Sequence, residues 1–251
     1  MFSTFRDTPI TAPSLHQPIP LTPSQWATHT LAFHPDPHQQ SILDSPSNRI
    51  IVNCSRQWGK STTASVKALH HALHTPKSLT LILSPSLRQS TELLRKVSAF
   101  LKTPPKRESI SLPNGSRIVA LPGNESTIRG FSGVSLLIVD EAARVPELLY
   151  RSARPFLATT NGTLLLMSTP NGARGFFYEA WSTGQDWLRI SVPATECPRI
   201  SEQFLADERR MHTDAFFRQE YLCEFTSSRS TFLRPDLLEY ISTTNFDPLN
   251  L

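Results

Sequence analysis

Apolar positions along the chain fall in short runs that alternate with stretches of helical spacing. Arg49 to Ser55, Leu79 to Leu83, Arg117 to Leu121, Leu136 to Val139, Leu164 to Met167 and Leu188 to Val192 read as strands. A continuous run such as Leu136-Leu-Ile-Val139 suits a strand buried on both faces of a parallel sheet. Ser61 to His74, Leu87 to Leu101 and Glu147 to Leu157 carry helical patterns between them. The alternation predicts an α/β fold: a mainly parallel sheet with helices on both faces. One segment breaks the rhythm. Asn114-Gly115 lies between the β-prone runs Ser109 to Leu112 and Arg117 to Leu121 and predicts an antiparallel hairpin added to the sheet.

The two ends read differently. Residues 1–37 hold seven prolines among Ser, Thr and His, which predicts an irregular or extended arm rather than a domain. The body of the fold is expected over 38–226. Ser201 to Tyr221 predicts one long helix, with Ser201 as its N-cap and acids in the early turns. Residues 227–251, with a short helical pattern around Asp236 to Tyr240, are expected to form a linker toward a further domain. There is no internal repeat.

Composition narrows the class. With 251 residues, 39% of them hydrophobic, the chain can bury a sizeable core. No apolar run approaches the ~18 residues of a membrane span, and the N-terminus lacks the charged-then-apolar pattern of a secretory signal. Cys54, Cys197 and Cys223 are too few and too scattered for a disulfide framework or a zinc site, which fits a reducing, intracellular setting. Net charge is +4, and the basic excess comes early: residues 1–125 carry 13 Lys and Arg against 6 acids, residues 126–251 carry 12 against 15. Seven basic residues lie between Arg88 and Arg117, opposed only by Glu92 and Glu108. They suit either a phosphate-contacting surface for nucleic acid or a solvated helix face.

Candidate chemistry begins at Cys54-Ser-Arg-Gln-Trp-Gly-Lys-Ser61, placed after a strand and before a helix as a phosphate-binding loop requires. Gly59 would let the backbone approach phosphate, Lys60 would reach the β and γ phosphates, and the Ser61 hydroxyl would take a magnesium ion. The signature calls for Gly where this chain has Cys54, so the loop by itself does not decide the matter. The second half of the argument is Leu136-Leu-Ile-Val-Asp-Glu-Ala-Ala143, an apolar strand running into paired acids about 80 positions beyond Lys60. Open α/β sheets place ligands at the carboxyl ends of their strands. Asp140 there would hold the metal and Glu141 would polarise the attacking water as general base. The alternative, that the two acids only cap a helix, suits an isolated Asp-Glu but not one paired with the upstream loop.

At this point the residues resemble the large terminase subunits of tailed bacteriophages over roughly residues 30–225. Arg56-Gln57 before Gly59-Lys60, and the loss of the first Gly, are features of that family. The resemblance implies an ASCE-type, helicase-like P-loop NTPase fold and a Mg2+-dependent ATPase whose substrate is ATP. Ser55, Arg56, Gln57, Trp58, Gly59, Lys60, Ser61 and Thr62 would surround the nucleotide, with Ser61 and Asp140 on the metal. Pro37-His-Gln-Gln-Ser-Ile-Leu43 is similar to the adenine-recognising segment, with Gln39 or its neighbour Gln40 reading the base edge. Ser168-Thr169, within Ser168-Thr-Pro-Asn-Gly172, is similar to the coupling motif that links hydrolysis to movement. Arg129 is similar in position to the arginine supplied to a neighbour's active site, and Arg56 competes for that role in cis. The family implies double-stranded DNA, a homo-oligomeric ring, a portal protein and a small terminase subunit as partners, and a place in the host cytoplasm at the procapsid. Its nuclease domain is not expected within this sequence. Two other readings are a helicase-like DNA-dependent ATPase and a nucleotide-binding scaffold module without turnover; the second has no need of Glu141.

Overall fold

A computed structural model describes residues 21–121, 123, 128 and 130–226. Seven strands form one sheet in the order β3-β4-β2-β5-β6-β1-β7. They are β1 (Arg49–Cys54), β2 (Leu79–Leu83), β3 (Ser109–Ser111), β4 (Arg117–Ala120), β5 (Leu136–Asp140), β6 (Thr163–Ser168) and β7 (Leu188–Val192). Every neighbouring pair is parallel except β3 with β4, the hairpin that Asn114-Gly115 turns. Gly115 takes a φ of +83°, where a side chain would be strained. The Asn114 amide donates to the carbonyls of Ala72 and Leu73 and so closes the end of the helix Lys60–His74 as well.

Central strands β2 and β5 are buried at every position, which is why their sequences are continuous rather than alternating. One face of the sheet, with Ile50, Val52, Ile138 and Leu165, packs against α2 (Pro37–Asp44), α3 (Lys60–His74) and α4 (Leu87–Leu101). The other, with Leu137, Val139, Leu164 and Leu166, packs against α5 (Glu147–Ala153), the 3-10 turn Arg154–Leu157 and α6 (Gly175–Ser182). Burial of such aliphatic side chains is worth about 1.5–3 kcal/mol each and is the main force fixing the layers.

Three sequence expectations need correction. The arm expected to be irregular over residues 1–37 contains α1 (Pro23–Leu31); residues 1–20 lie outside the described part. Pro23 and Pro37 do not break structure. Each sits in the first turn of a helix behind a reciprocal capping box, Thr22 with Gln25 and Asp36 with Gln39, where a missing N–H costs nothing. The Asp44 carboxylate then accepts from Ser24 N and Oγ at 2.8 and 2.6 Å, holding α1 on the body. The helix expected from Ser201 to Tyr221 is two, α7 (Glu202–Met211) and α8 (Asp214–Leu222), because the Thr213 hydroxyl accepts from Phe216 N and starts a new helix. The expected helix Glu147 to Leu157 tightens to 3-10 geometry at Arg154, where Pro155 disfavours continued α-helix. The expected linker at 227–251 lies outside the described residues.

Candidate active site

β1, β5 and β6 end on one side of the sheet, and β6 lies between the other two. The phosphate-loop motif follows β1, the paired acids close β5, and Ser168-Thr169 closes β6. Parallel pairing in register, Val52 with Met167 and Asp140 with Met167, brings these three chain segments to one level.

The loop Ser55–Gly59 wraps the start of α3. Gln57 and Gly59 both have positive φ, +63° and +103°, and that backbone path turns the loop over the helix end. α3 has no side-chain cap and no acid in its first turn. Helix amides without a cap, together with the helix dipole, favour an anion at that end. Lys60 Nζ stands 2.7 Å from Glu141 Oε1, and both side chains are mostly buried. Burial is the largest single influence on Lys60 and lowers its pKa, but the neighbouring acids Glu141 and Asp140, Glu141 foremost, help to more than offset this, so its pKa is raised overall.

Ser61 Oγ donates to Asp140 Oδ2 at 3.3 Å. The Asp140 carboxyl is pushed up by burial, with Lys60 opposing. One hydroxyl and one buried carboxylate, beside an open cleft, are hard oxygen donors that fit Mg2+. Glu141 adopts left-handed backbone, φ +52°, immediately after the strand. That conformation is costly for a residue other than Gly and is held here by the Glu141 N–H to Asp140 Oδ1 bond and the 3-10 turn Ala142–Arg144. A cleft of about 500 Å³ lined by Arg56, Gln57, Lys60, Ser61, Glu141 and Arg144, among others, lies over these groups. A larger one of about 790 Å³ lies where β1, β6 and β7 begin, lined by Arg49, Asn161 and Trp187, and holds none of the motif residues.

Several expected nucleotide contacts sit differently. The Trp58 indole is buried in the core and its Nε1 donates to Asp36 Oδ2 at 3.0 Å, so this side chain anchors the loop to α2 rather than facing the cleft. The Gln39 amide lies against the loop with both ends in use: Oε1 accepts from Asp36 N at 3.0 Å and Nε2 donates to Trp58 O at 3.5 Å. Reading a base edge would require it to leave both. Gln40, its alternative, is exposed. Ser55 Oγ is buried with no hydrogen-bond partner, and so is Ser168 Oγ. Thr62 is half-buried at the cleft, its N–H donating to Gly59 O at 3.0 Å. Cys54, at the position of the missing Gly, is a fully buried thiol whose pKa is raised by desolvation. Arg129 lies outside the described residues. Arg56 is at the cleft, but its guanidinium is held by Glu220, Nε to Oε2 at 2.6 Å. That hydrogen bond is the main cause of its raised pKa.

Sequence reasoning missed Arg144, Glu220 and Arg199. Arg144 Nη1 contacts Glu141 Oε2 at 3.2 Å and Thr169 Oγ1 at 2.8 Å, while Nη2 contacts Glu220 Oε1 at 3.0 Å. Arg199 donates to Trp58 O beside Gln39. The three-residue spacing of Glu141 and Arg144 was a visible signal. Nothing local marks Glu220, one acid among several in the helical pattern Ser201 to Tyr221, as 4% exposed.

A family model described as terminase large subunit, T4likevirus-type, N-terminal, matches residues 51–239. The chain is 28% identical over 264 aligned positions to the terminase large subunit of Thermus virus P23-45, covering 87% of this chain and 54% of that protein. It is 26% identical over 203 positions to that of Escherichia phage T5, covering 74% and 46%. The chain thus spans about half the length of the curated relatives it matches. Among solved structures, the large terminase ATPase domain of Thermus phage P74-26 superposes with a TM-score of 0.70 at 23% identity, over 82% of this chain and all of that one. The large terminase of another thermophilic bacteriophage, in complex with ADP, superposes with a TM-score of 0.65 at 16% identity, over 76% and 53%. Both share the fold described above.

Proposed function

This chain belongs to the terminase large subunit family, and from that membership we propose that it is an ATP-hydrolysing motor domain that drives double-stranded DNA into a phage procapsid. The observation that carries the proposal is the convergence of two remote segments: Ser61 on Asp140 at 3.3 Å and Lys60 on Glu141 at 2.7 Å.

In this reading the triphosphate lies on the N-terminus of α3, its charge met by helix amides and by Lys60. Taking the phosphate moves the Lys60 ammonium away from Glu141 Oε1. That oxygen then orients the attacking water and accepts its proton as the water adds to the γ phosphorus, giving ADP and phosphate. Ser61 and Asp140 would hold Mg2+, which would supply neutralisation of the triphosphate's charge. Arg129 from a neighbouring subunit, or Arg56 in cis, would stabilise the charge of the transition state.

The basic groups of α4, of the segment that joins it to β3, and of β4 support a DNA-facing role for that stretch of the chain. Arg88, Arg95, Lys102, Lys106, Arg107 and Arg117 are all exposed. Duplex DNA as track, a ring of subunits, a portal protein and small subunit as neighbours, and the host cytoplasm at the procapsid as location follow from family membership as parts of the same proposal. The test is Glu141→Gln. ATP binding with turnover lost is the expected result, and wild-type turnover would refute the catalytic reading.

A further inference from the structure

Five charged side chains form a continuous chain across the cleft: Lys60, Glu141, Arg144, Glu220 and Arg56. The links are 2.7, 3.2, 3.0 and 2.6 Å. Arg144 is the middle member and also touches the end of β6, through Thr169 Oγ1 at 2.8 Å and Thr169 O at 3.3 Å. Glu220, on α8, is buried, and each of its oxygens takes one arginine. A buried carboxylate is stable only when so paired. Its neighbour Gln219 accepts from Gly172 N at 2.9 Å, so α8 is bonded both to the strand-end loop and to the charge chain.

We propose that Arg144 is a positioning residue that pins one oxygen of Glu141 and ties that carboxylate to Thr169 and to Glu220 of α8, so that occupancy of the cleft is conveyed to α8. The inference rests on Glu141 being the base. With Oε2 held by Arg144, departure of Lys60 frees Oε1 alone, and the carboxylate presents a defined lone pair instead of rotating. The planar guanidinium serves acceptors on three segments at once, a geometry that an ammonium on a flexible stem does not reproduce. A change at either oxygen of Glu141 alters the charge that Arg144 shares with Glu220, and thereby the hold on α8.

The experiment compares the wild-type chain with Arg144→Ala, Arg144→Lys and Glu141→Gln. It measures single-turnover ATP hydrolysis, affinity for a non-hydrolysable ATP analogue, and amide hydrogen exchange of residues 214–222 with and without that analogue. Arg144→Ala is expected to lower the rate at least about 30-fold with analogue affinity within about threefold, the signature of an interaction not spent on ground-state binding. Arg144→Lys should fall between the two. In wild type the analogue should change exchange in α8, and in Arg144→Ala this response should vanish. If Arg144→Ala does not fold, Arg144→Lys is read by the same split between rate and affinity. A rate within threefold of wild type, or an α8 response that survives loss of the guanidinium, overturns the inference. Turnover retained in Glu141→Gln overturns the base assignment itself; Glu141→Gln inactive beside a fully active arginine variant overturns only the role of Arg144.

Discussion

Replacing Glu141 by Gln should do two opposite things to the chain, both traceable to one contact. Lys60 Nζ and Glu141 Oε1 are 2.7 Å apart, with side chains 13% and 20% exposed. At an effective dielectric of ~20 such a pair attracts by roughly 6 kcal/mol. The cost of desolvating both ions takes back much of this, and a glutamine oxygen still accepts a hydrogen bond, so a net loss on the order of 2 kcal/mol is expected. For a chain of this size that lowers the ligand-free melting temperature by roughly 4–8 °C. The nucleotide gains what the ligand-free protein loses. In the binding mode proposed above, phosphate has to draw Lys60 away from Glu141 in wild type and not in the variant, and about 2 kcal/mol corresponds to roughly 30-fold tighter binding. Calorimetric melting without ligand and titration with ATP, both at moderate salt, measure the two effects. Melting at the wild-type temperature together with unchanged ATP affinity would show that the pair does not hold Lys60 in reserve.

Stability should also depend on pH through His70, whose ring stacks on His74 at 4.1 Å between centroids and meets Trp26 edge-on. Burial first, then His74, Lys67 and His71, lowers its pKa from 6.5 to about 4. The unfolded chain therefore binds a proton between those values that the folded one refuses, and stability is lost as pH falls from about 6.5 to about 4. Discounted for the ring's partial exposure, this is worth roughly 1 kcal/mol, and His70→Gln should flatten that part of a denaturant-midpoint profile. An unchanged profile would refute the assignment. Gly162→Ala should cost roughly 2–3 kcal/mol in a urea melt, because a Cβ there would lie 2.6 Å from Val134 O and 2.9 Å from Ser135 O, backbone atoms that cannot step aside. A midpoint shift worth under about 0.5 kcal/mol would contradict it. Duplex DNA affinity should fall steeply with salt, and Arg88→Ala with Arg95→Ala should reduce the slope by about one to two; a flat dependence removes α4 from the DNA-facing surface.

Much of the fold was legible because its signals are local. β2 and β7 start and stop at the residues where their apolar runs do, and α4 runs over the expected span Leu87 to Leu101. The hairpin followed from Asn114-Gly115 between two β-prone runs. The errors were local as well. Pro23 and Pro37 read as breakers by residue type although each follows a capping residue, and Thr213 lies within a helical pattern although its hydroxyl can cap.

The site divides in the same way. The loop Ser55–Ser61 and the Asp140-Glu141 pair were identifiable from strand-to-helix context, and their meeting followed from the rule that ligands gather at the carboxyl ends of parallel strands. What each side chain does there was not readable. Trp58 and Gln39 carry types suited to a base or a phosphate, yet one is buried in the core and the other spends its amide on a helix cap and a carbonyl. Glu220 and Arg144 lie outside both motifs, and their pairing is visible only in the folded chain.

Residue order along this chain was enough to determine the strands, the helices, the hairpin and the two motifs that meet, since each depends on neighbours within a few positions. Tertiary structure alone decided the charge chain from Lys60 to Arg56, the paired burial of Glu220 and the reach of Arg144 to Thr169. These contacts join residues up to 164 positions apart. Their strength comes from exclusion of water at the place where three strand ends and α8 close together, which no short window of sequence contains.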